Sequence, residues 1–391
     1  MNSRIEQYFG DPKTRTRRIF LFAVMTVLLS RALIALVNVI YVSAHGGTGW
    51  WVTDLNAWDT SWYRSIVIDG YSLEASPDRS EVNWAFFPML PMIIRGIFRL
   101  TGAHIEPYLI ASIVNTLFLI GIVVVGFAYI SETRKSSAQA AAVGILFTFG
   151  AYSFYFSIMY TESLYLLLML ITLYALEKKE YLMMGIAGAF LSATRNTGIM
   201  IVFAIGIKVI MNYVEEESGE KKSFPGFLKY VFGDWKLVLG ICLIPAGLFS
   251  FMAYLGWKMG DSLAFVHVQV AWGGEMDNPI RVLWRGLRYG DFRSRYLGLW
   301  GLAGCFAILV LIVKKRFHEA VLALILLMIP MAVRLQSMPR YFIGSGVFVW
   351  GAVEFLHTKK WRFLLPIAIV VLCLLEFWCL WQWFARNNIM V

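Results

Sequence analysis

Long apolar runs separated by short basic clusters constrain this chain more than any other feature. Several of the runs reach the ~20 residues that a helix needs to cross the hydrocarbon core of a bilayer. Of the 391 residues, 59% are hydrophobic and only 15% are charged, whereas a soluble domain carries about a quarter charged residues. Because a chain inside a bilayer must satisfy its backbone polar groups within each helix, the sequence predicts an all-α polytopic membrane protein.

The net charge of +10 does not indicate a nucleic-acid partner. The lysines and arginines cluster between apolar runs, which is typical of cytoplasmic loops, so the expected surroundings are membrane lipid. Residues 1–18 are predicted to be a basic cytoplasmic leader, followed by a first span over residues 19–42 that is too long for the apolar part of a cleaved signal peptide. All four cysteines fall inside apolar runs and are interpreted as small hydrophobic residues.

Placing the leader inside predicts about eleven spans, with a first outer loop over residues 43–104 and a second over residues 258–295. The stretch FFPMLPMIIRGIFRL at 86–100 is short and contains two prolines and two arginines, so it is interpreted as an interfacial or half-inserted helix. The run over residues 181–214 is interrupted by ATRNTG and is interpreted as two short spans that meet near the outer face.

An alternative arrangement also gives eleven spans. In it, residues 86–102 cross the membrane and residues 181–214 form one span. It places Arg134–Lys135 and Lys178–Lys179 outside, against the rule that positive charge stays inside, so it ranks second.

The first outer loop has aromatic and aliphatic residues at helical spacing. The spacing predicts one amphipathic helix on the outer leaflet, capped at its start by Asp54 and stopped at Asp69–Gly70. Asp59 lies beside the apolar stripe, flanked by tryptophans that suit the headgroup layer, and Tyr63 follows one turn later. Asp59 is therefore a candidate catalytic carboxylate, and the alternative is an ordinary solvated charge. The stripe consists of Trp51, Leu55, Trp58, Trp62 and Ile66.

Polar residues from other segments fall on the same predicted face. Arg195 lies in an apolar run where a charge is costly, so it either binds an anion or pairs structurally with Glu162. Arg340 either binds an anion or extends from a span end to the interface. Glu162 either contacts a sugar or favours the dipole at a helix start.

Gln269 and Trp272 are three residues apart and would share one face of a helix. Gln269 would then hydrogen-bond sugar hydroxyls while Trp272 stacks on the apolar face of the sugar. The alternative is an interfacial aromatic residue beside a solvated neighbour.

An ordered set of motifs resembles the PIG-V family, whose members add the second mannose in glycosylphosphatidylinositol assembly, together with bacterial relatives. ATRNTG departs from the family's Thr-Arg-Ser-Asn-Gly segment at Asn196–Thr197. The matching segments are WD at 58–59, Tyr63, GY at 70–71, WAFFPMLP at 84–91, YTESLY at 160–165, ATRNTG at 193–198, GDSLAFVHVQVAWG at 260–273 and SMPRY at 337–341.

The resemblance implies a GT-C-like bundle over residues 19–391, acting as a single domain on a glycolipid or glycan. It implies a polyprenyl-phosphate sugar donor, with mannose as the sugar that the family transfers, and a catalytic acid in the first outer loop, here Asp59. Arg195 and Arg340 are then expected to bind the donor phosphate. Tyr63, Glu162, Gln269 and Trp272 are expected to bind substrate.

Three further expectations accompany this reading. No acid cluster accompanies Asp59, so the expected chemistry is inverting and metal-independent, with a divalent metal as the open alternative. The chain has no glycosylation sequon and mostly short loops, which favours a bacterial plasma membrane with the site outside over an endoplasmic-reticulum membrane. The rival function is a lipid or sugar transporter, in which Arg31, Arg195 and the ATRNTG break line a substrate path.

Overall fold

A computed structural model describes residues 2–73, 82–216, 223–268 and 276–390 of the chain. Within those residues the backbone forms helices and connecting loops and no β-strand. This confirms the predicted all-α architecture. The physical reason is that an apolar run satisfies its own backbone hydrogen bonds when it forms a helix.

The first ten α-helices carry the first outer loop and the ATRNTG break. They are α1 Asn2–Gly10, α2 Arg15–His45, α3 Trp51–Leu55, α4 Thr60–Ile68, α5 Met89–Leu100, α6 Pro107–Arg134, α7 Ser137–Phe149, α8 Glu162–Glu177, α9 Tyr181–Ser192 and α10 Ile201–Glu216.

The second ten α-helices complete the bundle. They are α11 Phe224–Gly233, α12 Trp235–Leu243, α13 Ala246–Met259, α14 Ala264–His267, α15 Pro279–Tyr289, α16 Phe292–Val313, α17 Phe317–Val333, α18 Met338–Ser345, α19 Val347–Leu356 and α20 Leu364–Phe384. Short 3₁₀ turns lie at Asn83–Ala85, Ser153–Phe156, Asn196–Met200 and Asn388–Met390.

Among the described residues, six segments are long and apolar enough to cross a membrane. Shorter apolar helices, including α7, α9, α17 and α19, accompany them. The multi-pass character is therefore confirmed, while the total of eleven spans stays a prediction. The six segments are Arg15–His45, Pro107–Arg134, Asn196–Glu216, Trp235–Met259, Phe292–Val313 and Leu364–Phe384.

Ion pairs define two opposite ends of the bundle. At the basic end, Lys178 lies 3.1 Å from Glu132 and Lys179 lies 2.7 Å from Glu216, so the C-terminal ends of α6, α8 and α10 meet. The other end of α8 begins at Glu162. A helix of 16 residues is about 24 Å long, so this second end, here called the site end, is well separated from the basic end.

The chain turns round at the ATRNTG segment, as predicted. Helix α9 ends at Ser192 and α10 begins at Ile201, and α10 returns to the basic end where Glu216 meets Lys179. Residues 181–214 are therefore two helices and not one continuous span.

The predicted single amphipathic helix in the first outer loop is wrong. The structure has two short helices, α3 and α4, and Trp58 between them adopts a left-handed backbone with φ 58°. Asn56 holds the break, since its side chain donates to the Val52 carbonyl at 2.6 Å and accepts from the Met159 amide at 2.8 Å. This tertiary contact overrides the helical spacing of the apolar stripe, so the stripe does not lie on one helix.

The predicted capping role of Asp54 is also wrong. Asp54 lies inside α3, where its carboxylate accepts hydrogen bonds from Asn38 at 3.1 Å and from Thr48 at 2.7 Å. The bond from Asn38 ties α3 to α2. The predicted stop is confirmed, because α4 ends at Ile68 and Gly70 has φ 96°.

The stretch at 86–100 contains a single short helix, α5, of 12 residues. At about 18 Å it is too short to cross the hydrocarbon core, and its depth in the membrane stays a prediction. Arg95 on α5 donates to the carbonyls of Ile66 at 2.7 Å and Val67 at 3.1 Å. The arginine therefore satisfies the C-terminal end of α4 and fixes α5 beneath it.

Arg31, the charge predicted within the first span, faces protein. Its guanidinium donates to the Thr116 hydroxyl at 3.0 Å, to the Phe156 carbonyl at 3.1 Å and to the Ser157 hydroxyl. Since these partners lie on α6 and on the loop before α8, Arg31 ties α2 to the segment that leads into the site end.

Candidate active site

Four charged side chains form one continuous series at the site end. Arg340 lies between two acids: its Nη1 is 3.3 Å from Asp59 Oδ2, and its Nε donates to Glu162 Oε1. The same Glu162 oxygen accepts from Arg195 Nη1 at 3.0 Å. Residues separated by up to 281 positions are thus assembled into the order Asp59, Arg340, Glu162, Arg195.

Every member of this series stands at the end of a helix. Asp59 immediately precedes α4, and Glu162 is the first residue of α8. Arg195 follows α9 and precedes the 3₁₀ turn, while Arg340 lies in the first turn of α18. The ends of these helices converge at the site end, and this convergence brings the four charged side chains together.

A glycine permits the close approach of α18 to Glu162. A Cβ placed on Gly344 would lie 2.8 Å from Glu162 Cγ, which is closer than real carbon atoms pack. The absence of a side chain at this position therefore lets α18 carry Arg340 against the glutamate.

Aromatic rings surround the two guanidinium groups. The Arg340 guanidinium lies 4.0 Å from the centre of the Tyr160 ring. The Arg195 guanidinium lies 5.3 Å from the Tyr341 ring and 5.6 Å from the Tyr165 ring. Such contacts fix the planes of the arginines and reduce their exposure to water.

Exposure increases along the series from Glu162 to Asp59. The Glu162 side chain is 0% exposed and that of Arg340 is 10% exposed, whereas the Asp59 side chain is 35% exposed. The Arg195 side chain is 17% exposed. The site therefore presents a reachable carboxylate beside a largely enclosed arginine, an arrangement able to accept a proton and hold an anion.

Tyr63 lies beneath this surface. It is buried, and its ring centre is 5.0 Å from that of Phe86 and 6.2 Å from that of Tyr160. Burial raises the pKa of Tyr63 to about 12, against the opposing effect of Arg340 and Arg195. The hydroxyl therefore stays protonated at neutral pH, and Tyr63 supports the Tyr160 ring on which Arg340 rests.

Five of the seven predicted site residues lie together in the structure. Asp59, Glu162, Arg195 and Arg340 form the charged series, and Tyr63 packs beside Tyr160. Gln269 and Trp272 lie outside the described residues. The described part of their segment, α14, packs Phe265 against Phe87 with ring centres 5.3 Å apart. The start of segment 258–295 is thus attached to segment 43–104 through Phe87 of the WAFFPMLP motif.

The sequence reasoning missed the role of Tyr160 and the sharing of Glu162 by two arginines. Tyr160 forms the surface under Arg340, and its position two residues before Glu162 in YTESLY was the available signal. The alternative of a structural pair for Arg195 is the contact observed here, since Glu162 engages both arginines. Only the tertiary arrangement reveals that one carboxylate oxygen serves two guanidinium groups.

A guanidinium occupies the position between the two site carboxylates. Arg340 contacts both Asp59 and Glu162, so a cation between these carboxylates would have to replace a guanidinium. Over residues 2–73, 82–216, 223–268 and 276–390, no three His, Cys, Asp or Glu side chains form a group suited to a metal.

An apolar groove begins one helical turn from Arg340. It has a volume of about 410 Å³, and its lining includes Tyr296, Leu299, Trp300, Ala303, Phe342 and Ile343. Leu299 is 58% exposed, so one wall of the groove faces the surroundings of the bundle. The Tyr296 hydroxyl lies 2.6 Å from the Tyr152 hydroxyl, which joins this wall to the loop leading to Tyr160.

Comparison with known proteins identifies a family and solved structures that resemble this chain. A family model described as Mannosyltransferase (PIG-V) matches residues 16–262. No curated protein matches the chain. A solved structure with a TM-score of 0.44 and 12% identity is the archaeal oligosaccharyltransferase AglB from Archaeoglobus fulgidus, in complex with an inhibitory peptide and a dolichol-phosphate. The similarity covers 93% of this chain and 56% of that one, so the chain spans about half of the archaeal protein.

Proposed function

The chain belongs to the PIG-V mannosyltransferase family, and from that premise we propose the reaction that it catalyses. It moves a mannosyl residue from a polyprenyl-phosphate donor to a hydroxyl of a lipid-linked or surface glycan acceptor. The observation that carries the proposal is the accessible Asp59 carboxylate held 3.3 Å from Arg340 at the site end of a membrane bundle.

Asp59 acts as the general base in this proposal. The acceptor oxygen forms a bond to the anomeric carbon while its proton passes to the Asp59 carboxylate. The bond between the anomeric carbon and the phosphate oxygen breaks, and its electron pair leaves with the polyprenyl phosphate. Attack from the face opposite the leaving group inverts the anomeric carbon. General-base assistance of this kind contributes roughly 10²–10⁴-fold to the rate.

Arg340 and Arg195 stabilise the departing phosphate. Negative charge grows on that group as the glycosidic bond breaks, and forked guanidinium donors match phosphate oxygens. The contacts described above use Nε and Nη1 of Arg340 and Nη1 of Arg195. Each guanidinium has five N–H donors, so further donors serve the phosphate.

Glu162 is a positioning residue in this proposal and does not contact the sugar. Its side chain is 0% exposed, and one of its oxygens holds both arginines. Without this carboxylate two guanidinium groups would repel each other in a site of low polarity. Glu162 therefore keeps the two cations close enough to act on one phosphate.

The lipid part of the donor fits the apolar groove. Phe342 and Ile343 line the groove and lie two and three residues after Arg340 on α18, so a phosphate at the arginine has an apolar path within one helical turn. An isoprenoid chain gains free energy by lying along such a surface. The proposed location is the outer face of a bacterial plasma membrane.

Transfer from defined donors tests the reaction. Purified protein in lipid vesicles receives polyprenyl-phosphate mannose or a nucleotide-linked mannose, with a glycolipid acceptor extract, and the products are analysed by mass. Transfer from the polyprenyl donor alone supports the proposal. Transfer from the nucleotide sugar alone, or movement of lipid across the membrane without transfer, contradicts it, and the latter result favours the transporter.

Accessibility labelling tests the face. A single cysteine at Ser61, which is exposed beside Asp59, is compared with one at Lys315 near the basic end, in a chain whose native cysteines are replaced. A reagent that cannot cross the membrane should label position 61 in intact cells and leave position 315 unlabelled. The reverse pattern contradicts an outer site.

A further inference from the structure

The arginine-rich helix α15 sits at the site end of the bundle. The amide of Asp277, just before α15, donates to the Ala332 carbonyl of α17 at 2.8 Å. A Cβ on Gly286 would lie 2.2 Å from Leu335 Cδ1, so α15 packs tightly on the loop that leads to Arg340. This places α15 away from the Lys178–Glu132 pairs of the basic end.

Three strips of different chemistry run along α15. Leu283 and Gly286 are buried against α16 and α17. Ile280 and Trp284, one turn apart, are 71% and 60% exposed and form an apolar edge. The third strip is cationic and exposed, and consists of Arg281, Arg285 and Arg288.

The charge of this segment departs from the usual distribution in membrane proteins. Residues 276–295 contain five arginines and two aspartates, a net charge of +3, at the end opposite the basic clusters. Positive charge in short loops normally accumulates on the cytoplasmic side, so a cationic helix at the other end calls for an anionic partner.

The chemistry of the cations restricts the class of anionic partner that the helix would bind. All five are arginine and none is lysine, and arginine forks match phosphate oxygens. Asp277 contacts Arg285 and lies 3.6 Å from Arg281, which holds both guanidinium groups on one side of the helix. The adjoining apolar edge suits the boundary between headgroups and acyl chains, where amphipathic helices lie.

We propose that α15 binds the headgroup phosphates of anionic phospholipids in the leaflet at the site end. Ile280 and Trp284 enter the acyl boundary, and Arg281, Arg285 and Arg288 meet the phosphates. This binding surface is separate from the catalytic series and does not depend on the proposed transfer reaction.

Photocrosslinking maps the contact on the full chain. The protein in vesicles is exposed to phosphatidylglycerol or phosphatidylcholine carrying a photoactivatable headgroup, and crosslinked peptides are located by mass spectrometry. Phosphatidylglycerol should label residues 279–289. Replacement of all three arginines (Arg281→Gln, Arg285→Gln and Arg288→Gln) should lower the apparent affinity by about 10²-fold, from the attraction of each charge to an anionic surface.

A matched triple variant controls for charge. Lys359→Gln, Lys360→Gln and Arg362→Gln remove three exposed cations near the other end of the bundle and should leave labelling of residues 279–289 unchanged. Replacement of the α15 arginines by lysine should lower the affinity less than glutamine does, because charge is kept and the fork is lost.

Either of two labelling results would overturn the proposal. One is equal labelling of α15 by phosphatidylcholine and phosphatidylglycerol. The other is undiminished phosphatidylglycerol labelling in the glutamine variant. Millimolar inorganic phosphate should not compete; full competition would identify a free-phosphate site and contradict binding to a lipid surface. Unchanged helicity by circular dichroism shows that each variant is folded.

Discussion

The two ends of the bundle each contain a buried glutamate held by arginine, and the two differ in access. At the basic end, Glu319 is 0% exposed and its partner Arg134 is 2% exposed. Glu319 accepts from Tyr129, from Arg134 at 2.7 Å and from Trp350 at 3.0 Å. At the site end, Glu162 is equally buried, but its series continues to an Asp59 side chain that is 35% exposed.

The comparison separates a network that stabilises helix packing from a network that can also contact a substrate. Both glutamates carry the cost of burying charge, which paired geometry must offset. Glu319 uses both oxygens to join α6, α17 and α19. Glu162 uses one oxygen for two arginines, and its Oε2 has no hydrogen-bond partner among the described residues. An enclosed network stabilises helix packing, whereas a network with one open end can also meet a substrate.

The largest effect is expected at the open end of the site series. Asp59→Asn removes the proton acceptor while keeping the shape of the side chain, so the transfer rate should fall roughly 10²–10⁴-fold. The rate is measured with polyprenyl-phosphate mannose at saturating acceptor. Asp69→Asn, at the exposed far end of α4, is the matched control and should keep wild-type activity. A variant at 59 that retains full activity would refute the general base.

Disruption of the enclosed Glu319 network should lower the free energy of unfolding. Glu319→Ala leaves Arg134 buried without its main partner, and breaking a buried pair costs about 3–5 kcal/mol of unfolding free energy. Denaturant unfolding in detergent micelles measures the loss. Glu132→Ala removes two exposed pairs at the same end, with Lys178 and with Lys135, and should cost about 0–1 kcal/mol for each. Equal losses from the two variants would remove the distinction between enclosed and exposed pairs.

Substitution of arginine by lysine tests the anion role without removing charge. Arg195→Lys or Arg340→Lys should lower kcat/KM for the donor roughly 10–100-fold, since a hydrogen bond to a charged group contributes about 1.5–3 kcal/mol. Arg134→Lys, in the enclosed network, should lower the unfolding midpoint and leave kcat/KM unchanged. A kcat/KM that stays constant in both site variants would show that these arginines only hold Glu162.

The smallest effect concerns the groove beside the site. Ala303→Trp fills part of the lining and should raise KM for a long-chain donor about tenfold, because each displaced methylene forfeits about 0.8 kcal/mol. A donor with a short prenyl chain should be unaffected. Val313→Trp, exposed on the same helix near the basic end, is the control. Equal effects on the long and short donors would place the lipid chain elsewhere.

Apolar length and interrupted runs predict most of the fold. The apolar run at 107–134, the two-helix division at ATRNTG and the short helix at 89–100 all follow from local composition. Helical spacing failed over residues 51–66, because the decisive contact joins Asn56 to Met159, which is 103 positions away. A periodic pattern carries no information about such a contact.

The sequence predicted which residues form the charged series but not how they contact one another. A shared predicted face selected Asp59, Glu162, Arg195 and Arg340, which the structure places together. The sequence does not reveal that Arg340 joins the two acids, because this depends on how α18 packs through Gly344. Glu319 and Arg134 were not recognised as a network, since their charges resemble ordinary cytoplasmic span ends.

The position of the site at helix ends has a consequence for how the chain can change over time. Asp59, Glu162, Arg195 and Arg340 all stand at helix termini, and none depends on an outward face of a long helix. The outward face of α2 is therefore free to vary with the thickness and lipid content of the host membrane. Such a chain can be retuned to new bilayers while the reacting groups keep their places.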